Sequence, residues 1–179
     1  VIDPDNPSGH SYLWDFDGAV PGSSAREPGD IVFDEPGIYY VQLDVTDPET
    51  PVWLGSVDTP GNAEDIVVNG SYAFIADRQN GIVAVNVSNP AAPAIVDSYD
   101  TPGFAKSLAI EGSYCYLADY NSVQIFNIGN PSNIIFVSEF TPAGNPVGVH
   151  INDNTLYLST GSGGFQIFSL LDPTSPLQV

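Results

Sequence analysis

The feature that most restricts this chain is an internal repeat. Pro51-Val-Trp-Leu-Gly-Ser-Val-Asp-Thr-Pro-Gly61 matches Pro93-Ala-Ile-Val-Asp-Ser-Tyr-Asp-Thr-Pro-Gly103, and Ile134-Ile-Phe-Val-Ser-Glu-Phe-Thr-Pro-Ala-Gly144 follows more loosely. These stretches start at residues 51, 93 and 134, and Pro176 opens another, so the spacings are 42, 41 and 42 residues. A second anchor repeats in step: Asn69-Gly-Ser-Tyr-Ala-Phe-Ile-Ala-Asp77, Glu111-Gly-Ser-Tyr-Cys-Tyr-Leu-Ala-Asp119 and Asn152-Asp-Asn-Thr-Leu-Tyr-Leu-Ser-Thr160. Each unit then ends alike, at Val87-Ser-Asn-Pro90, Ile128-Gly-Asn-Pro131 and Leu170-Leu-Asp-Pro173. A fixed period of this length marks supersecondary units that cannot bury their apolar face alone and must stack on their neighbours.

Within a unit, short runs of β-branched and aromatic residues are separated by Gly, Asn and Pro turn signals. In the first unit the predicted strands are 52–57, 63–68, 72–76 and 82–87. Residues 63–68 and 107–110 are apolar on both faces, as strands are inside a covered sheet. Asn69-Gly70 signals a tight hairpin, read as a type I′ turn, with Glu111-Gly112 and Asp153-Asn154 at the same corner. No run keeps a 3.6-residue apolar period, so helix should be almost absent. Four strands per unit of this length is the signature of a β-propeller blade. The expected blades are 51–92, 93–133 and 134–175, with the start of a fourth. Closed propellers need more blades than this, so the open borders call for more chain beyond Val179, or for a neighbouring copy or partner.

These residues resemble the LVIVD repeats, which build β-propellers in bacterial and archaeal surface proteins. The likeness rests on Tyr-Ala-Phe-Ile-Ala-Asp77, Tyr-Cys-Tyr-Leu-Ala-Asp119, Gly-Ile-Val-Ala-Val-Asn-Val-Ser-Asn-Pro90 and the proline that starts each unit, and it extends over 51–179. The third copy departs from it, with Ser159-Thr160 in place of Ala-Asp and Asp172-Pro173 in place of Asn-Pro.

Residues 1–47 have no counterpart in the repeat. Tyr12, Trp14 and Phe16 alternate with Leu13, Asp15 and Asp17; Tyr39, Val41, Leu43 and Val45 alternate with Tyr40, Gln42, Asp44 and Thr46. Two half-buried strands with a tryptophan on one face predict an antiparallel sandwich. Through Tyr-Leu-Trp-Asp-Phe-Asp-Gly18 and Pro-Gly-Ile-Tyr-Tyr-Val-Gln-Leu-Asp-Val-Thr-Asp47 the segment resembles the later half of a PKD domain, an immunoglobulin-like module of secreted and surface proteins. The fold class expected is therefore all-β: a partial PKD-like sandwich (1–47), a Pro-stiffened linker (48–50) and antiparallel four-stranded blades (51–179). Completion of both ends by strands supplied in trans is the corresponding expectation.

Charge narrows the partners. Against 22 Asp and Glu stand only Arg26, Arg78 and Lys106, a net charge of −19. Phosphate neutralisation needs clustered cations, so nucleic acid is excluded as a partner and an anionic membrane surface is disfavoured. No apolar run reaches the roughly 20 residues of a membrane span. The lone Cys115, inside an alternating apolar run, reads as a small buried side chain.

The candidate chemistry is sparse. Asp3, Asp5, Asn6, Asp15 and Asp17, with Ser8, are hard oxygen donors that could hold calcium, although EF-hand spacing fails; the alternative is a turn whose side chains bond local backbone. Asp77 and Asp119 stand at equivalent turns, either as a repeated site for a metal or cationic ligand or as acceptors for their own turn amides. Asp58-Thr-Pro-Gly61 and Asp100-Thr-Pro-Gly103 read as turns, and Gly161-Ser-Gly-Gly164 as a hairpin loop, not a phosphate cradle. His10 sits in a turn, and His150 aligns with Val67 and Ala109, which makes it a blade-packing residue. Asn69-Gly-Ser71 and Asn86-Val-Ser88 fit the glycosylation triplet. No nucleophile elbow, zinc-protease motif or His/Cys cluster is present, so no catalytic residue is assigned.

The expected function is a non-catalytic extracellular or cell-surface module for architecture, adhesion or assembly, with a protein or surface glycan as partner. Two alternatives accompany it: a filament subunit completed in trans, and accessory domains of a larger secreted hydrolase.

Overall fold

The computed structural model describes residues 11–15, 42–46 and 52–179, and the chain divides into two compact units, Val1–Trp53 and Leu54–Val179. In the first unit β1 (Ser11–Asp15) pairs antiparallel with β2 (Gln42–Thr46), Ser11 opposite Thr46 and Asp15 opposite Gln42. The two alternating runs read from the sequence therefore meet as one ladder. Phe16, Tyr39, Tyr40 and Val41, which were expected to extend those runs, lie outside the described residues.

The second unit holds three antiparallel sheets of four strands each. The first is β3 (Asp65–Asn69), β4 (Tyr72–Ala76), β5 (Ile82–Asn86) and β6 (Ala94–Tyr99). The second is β7 (Ser107–Glu111), β8 (Tyr114–Ala118), β9 (Val123–Asn127) and β10 (Ile135–Phe140). The third is β11 (Gly148–Asn152), β12 (Thr155–Ser159), β13 (Phe165–Ser169) and the short β14 (Leu177–Gln178). One 3₁₀ turn, Gly161–Gly163, is the only helical element among the described residues.

The sheets run out of step with the expected blades. The stretch that opens each sequence unit forms the outermost strand of the preceding sheet: β6 follows Pro93, and β14 follows Pro176. Leu177–Gln178 thus closes the third sheet and does not begin a fourth blade. Residues 52–57, expected as a strand, form none. Their counterparts in β6 and β10 pair with the closing strand of the unit before, and the segment preceding residue 52 is not a repeat.

Stacking follows one rule. The first strands of the sheets are neighbours, β7 lying against both β3 and β11. Call the face of a sheet turned to the next sheet its forward face and the other its backward face. Phe74, Ala76, Ile82 and Ala84 on the forward face of the first sheet pack on Leu108, Cys115, Leu117 and Phe126 on the backward face of the second. Tyr116, Val123 and Ile125 of the second meet Leu156, Leu158 and Phe168 of the third in the same way. Fully burying an apolar side chain of this size contributes about 1.5–3 kcal/mol, so these two seams hold the unit together. The middle sheet is buried on both faces, and Cys115, Tyr116, Leu117 and Ala118 are all sealed from solvent. That is why the sequence around them is apolar at every position rather than at alternate ones.

Local chemistry fixes the corners. Gly70 and Gly112 have positive φ but Ser71 and Ser113 do not, so the first two hairpins have the II′ pattern and not the expected I′. The third, with positive φ at both Asp153 and Asn154, is I′. On the outer strands Val96 and Val137 are extra residues opposite an uninterrupted partner, and each bulge turns its valine against the neighbouring core. At the Asn-Pro corners Asn86 and Asn127 accept from the amides of Ser88 and Gly129, and Asn89 and Asn130 from those of Ala91 and Ser132. In the third corner Asp172 accepts from the amide and hydroxyl of Thr174, which hold its carboxyl below the usual carboxylate range.

Candidate functional site

The carboxylates of Asp77 and Asp119 do not accept from their own turn amides, one of the two expectations, and they do not gather around a shared site. Each reaches back to the Thr-Pro-Gly loop. Asp77 Oδ1 accepts from the Thr59 hydroxyl at 2.7 Å and Oδ2 from the Gly61 amide at 2.7 Å. Asp119 repeats this with the Thr101 hydroxyl at 2.7 Å and the Gly103 amide at 2.9 Å. Both carboxylates are buried. Burial raises the Asp119 pKa, the Thr101 and Gly103 bonds oppose that rise, and Glu139 and Asp100 add repulsion. The third sheet does the same work without charge. Thr160 replaces the aspartate, and Gln166 Nε2 donates to the Ala143 carbonyl at 2.7 Å and to the Thr160 hydroxyl at 2.9 Å. Its Oε1 accepts from the Ala143 amide at 3.3 Å. Sequence reasoning missed Gln166, although the loss of aspartate at Thr160 and the aligned Gln124 and Gln166 were both visible.

A second repeated contact joins the inner strands. Asp65 Oδ2 accepts from the Ser107 hydroxyl at 2.8 Å and the Leu108 amide at 3.0 Å. Ser107 Oγ in turn accepts from the Val149 amide at 3.3 Å. The next equivalent position is Gly148, which has no side chain to pass the contact on. Glu64, beside this ladder, takes both Lys106, at 3.0 Å, and Arg78, at 3.7 Å.

The two end faces of the stack are part core and part surface: Ala73, Ile75, Val83 and Val85 of the first sheet are buried, with Val57 and Val87 packed against them. On the backward face of the first, Ile66 and Val68 are 57% and 62% exposed, whereas Leu108, the counterpart of Ile66, is 2% exposed. On the forward face of the third, Phe165 is 65% exposed and stacks on Tyr157, with ring centroids 6.0 Å apart. A crevice of about 310 Å³ lies there, lined by Ser107, Gly148, His150, Tyr157, Ser159 and Phe165. His150 is exposed, not packed between blades as its alignment implied, because it lies opposite Tyr157 on the forward face of the third sheet, the last of the three.

The remaining sequence candidates fall out as follows. Cys115 is buried and free, and burial pushes its thiol pKa up, so it is a packing residue and not a nucleophile. Asp15 is exposed at the end of β1; Asp3, Asp5, Asn6 and Asp17, with His10, lie outside the described residues. Among the described residues no group of three His, Cys, Asp or Glu could hold a metal ion. Gly161–Gly163 lies in the β12–β13 hairpin, where Thr160 donates its amide to Gly164. Asn86 uses its side chain in its corner, while Asn69 is exposed. No helix among the described residues is long and apolar enough to cross a membrane.

With this geometry in hand, the comparisons are informative. The LVIVD repeat matches residues 60–101 and 102–141. Those spans coincide with the first and second sheets, so the family's unit is the structural sheet and not the Pro-to-Pro sequence unit. The chain is similar to the crystal structure of a functionally unknown protein from Desulfotomaculum acetoxidans DSM 771, with 14% identity and a TM-score of 0.57. That likeness covers 80% of this chain and 49% of the other, so this chain spans about half of that protein, and at this identity it shows the fold alone. A further match is the N-terminal domain of Nup159, with 11% identity and a TM-score of 0.43 over 64% of this chain and 29% of that one. No curated protein matches the sequence.

Proposed function

We propose that this chain is a non-catalytic binding and assembly module of an extracellular or cell-surface protein, in which part of a PKD-like sandwich leads into propeller blades. The observation that carries this reading is exposed apolar and aromatic surface at the two ends of the stack, Ile66 and Val68 on the first sheet and Phe165 on the third. Exposed contiguous apolar surface of this kind marks an interaction site. The clamped loops and Asn-Pro corners give the stack the rigidity a scaffold needs. The partner is a protein or a surface glycan, and the acidic surface fits neither nucleic acid nor anionic lipid.

A filament subunit is the second reading. Residues 52–57 favour it: they align with outer strands β6 and β10 yet form no strand with the described residues, and Val52, Trp53 and Leu54 are 76%, 78% and 60% exposed. An exposed apolar segment of this composition is suited to strand addition. Antibody labelling of intact and permeabilised cells tests the location, alongside a panel of chromogenic ester, glycoside and peptide substrates. Label on intact cells without turnover is expected. Label confined to permeabilised cells, or turnover of any substrate, overturns the proposal.

A further inference from the structure

We propose that a cavity between the outer strands of the first and second sheets binds an arginine side chain presented by a partner protein. It has a volume of about 240 Å³ and is lined by Tyr99 and Asp100, where β6 ends, by Pro102, by Gln124 of β9, and by Phe136 and Glu139 of β10. The proposal deepens the binding reading above by naming the group bound, and it rests on that reading in taking the partner to be a protein.

The walls suit a flat organic cation. Tyr99 and Phe136 are 37% and 38% exposed, and their rings lie nearly parallel, at 19° with centroids 6.3 Å apart. The buried Phe126 touches both, at 5.1 Å and 5.9 Å between centroids, and holds them in place. Exposed aromatic faces of this kind attract a guanidinium, which stacks on them. Two exposed carboxylates, Asp100 and Glu139, complete the lining. Among the described residues neither meets a cation, since Arg78 and Lys106 both pair with Glu64. The buried Asp119 feels repulsion from both, so negative charge gathers here uncompensated. Among the described residues no three such groups are placed to hold a metal ion, which turns the choice to an organic cation.

The observation that points to a ligand is Gln124. It is 3% exposed, yet its Nε2 makes only two long contacts, 3.4 Å to Glu139 Oε2 and 3.5 Å to Asp119 Oδ2, and its Oε1 accepts from no donor among the described residues. Two carboxylates beside the nitrogen fix which end of the amide is which. The aligned Gln166 engages both ends of its amide, on Ala143 and Thr160. An acceptor left unmatched on a buried side chain is unfavourable until a donor arrives. A guanidinium carries several N–H donors in a fixed fork, enough for Gln124 Oε1 and the Glu139 carboxylate together.

The fold itself does not ask for this lining. On the first sheet Ile95, Ser98 and Val83 stand where the second has Phe136, Glu139 and Gln124, and there Val57, the counterpart of Tyr99, packs on the buried cluster that contains Val83. A place that is apolar and filled at one sheet is open, aromatic and acidic at the next. The chain's net charge of −19 also steers a basic partner towards it.

Titration of the isotopically labelled full chain with the capped peptide Gly-Gly-Arg-Gly-Gly, followed through the amide resonances, tests this. Saturable shifts centred on Asp100, Gln124 and Glu139 are expected, weaker with lysine in place of arginine and absent with citrulline, which keeps the shape and loses the charge. Free arginine, whose α-carboxylate the acidic surface repels, should bind several-fold more weakly than the peptide. Glu139→Gln and Gln124→Val should each raise the Kd about tenfold, the loss of one charge-assisted hydrogen bond. Gln124→Val installs the residue type that Val83 provides on the first sheet; should it fail to fold, Asp100→Asn takes its place. Asp153→Asn, at an exposed turn elsewhere, removes the same charge as Glu139→Gln and should leave the Kd unchanged. No saturable shift, equal binding of the citrulline or lysine peptide, an equal loss in Asp153→Asn, or free arginine binding as tightly as the peptide overturns the proposal. Each of these can occur with cells labelled at the surface and no substrate turned over, so failure here is distinguishable from failure of the functional proposal.

Discussion

The second and third sheets fasten the same loop with different chemistry. In the second, the buried Asp119 carboxylate holds Thr101 and Gly103. In the third, Gln166 and Thr160 hold Ala143 with neutral groups. The aspartate makes short, charge-assisted bonds but must be desolvated. The glutamine avoids that penalty and makes one long bond among its three. What the fold requires at this point is therefore an acceptor and donor set that ties the loop to the hairpin, and not a carboxylate. That argues for a structural role for Asp77 and Asp119, since a ligand site would demand the charge in every copy.

The most severe test of the difference is steric. A Cβ on Gly103, whose amide Asp119 holds, would run into the Asp119 carbonyl oxygen and lie 2.7 Å from Oδ2, while Ala143, whose amide Gln166 holds, already carries a Cβ. Gly103→Ala should cost about 3 kcal/mol, at the upper end of overpacking effects. Ala143→Gly should cost no more than about 1 kcal/mol, the extra backbone entropy of glycine. Urea midpoints at unchanged m-value check both. A mild Gly103→Ala would mean that the loop slides and the carboxylate clamp is loose.

Next in size is removal of the clamps. Asp119→Ala strands a buried threonine hydroxyl and a backbone amide, and should cost about 2–3 kcal/mol. Gln166→Ala strands the Ala143 carbonyl and a weaker amide contact, and should cost about 1–2 kcal/mol. Equal losses, or the reverse order, would show that desolvation cancels the charge-assisted bonds of the aspartate.

Much of this architecture was legible, for identifiable reasons. Periodicity survives in sequence because each unit must supply the same apolar rows, so the β class, the near absence of helix and the hairpins at 69–72 and 111–114 could be read. The phase could not. A period looks the same from any starting point, and only the hydrogen bonds between β5 and β6, across the Asn-Pro corner, assign residues 94–99 to the earlier sheet. The clamp was invisible for a related reason: Thr101 and Asp119 are 18 residues apart, and each also makes sense as a turn residue by itself. His150 was misread because alignment assigns a residue its counterpart's position but not its counterpart's neighbour.

The smallest expected effect is also the one that separates charge from geometry. The Asp119 pKa is raised above its ordinary 3.8, chiefly by burial. The folded protein therefore takes up a proton there before the unfolded chain does, and the contribution of this group to stability is fully present below 3.8 and is lost as pH rises through the folded value. Asp119→Asn keeps an acceptor for the Thr101 hydroxyl but cannot titrate. Relief of general repulsion on acidification acts on both proteins alike, so the difference between them isolates the one group. Unfolding free energies measured from neutral pH down toward 3.8 should show the native protein gaining on the Asn variant as pH falls. Gln166→Ala should track the native protein in parallel, since its clamp carries no ionisable group. A gap between native and Asn variant that stays constant or narrows on acidification would place Asp119 in a well-solvated setting and remove the contrast between the two sheets.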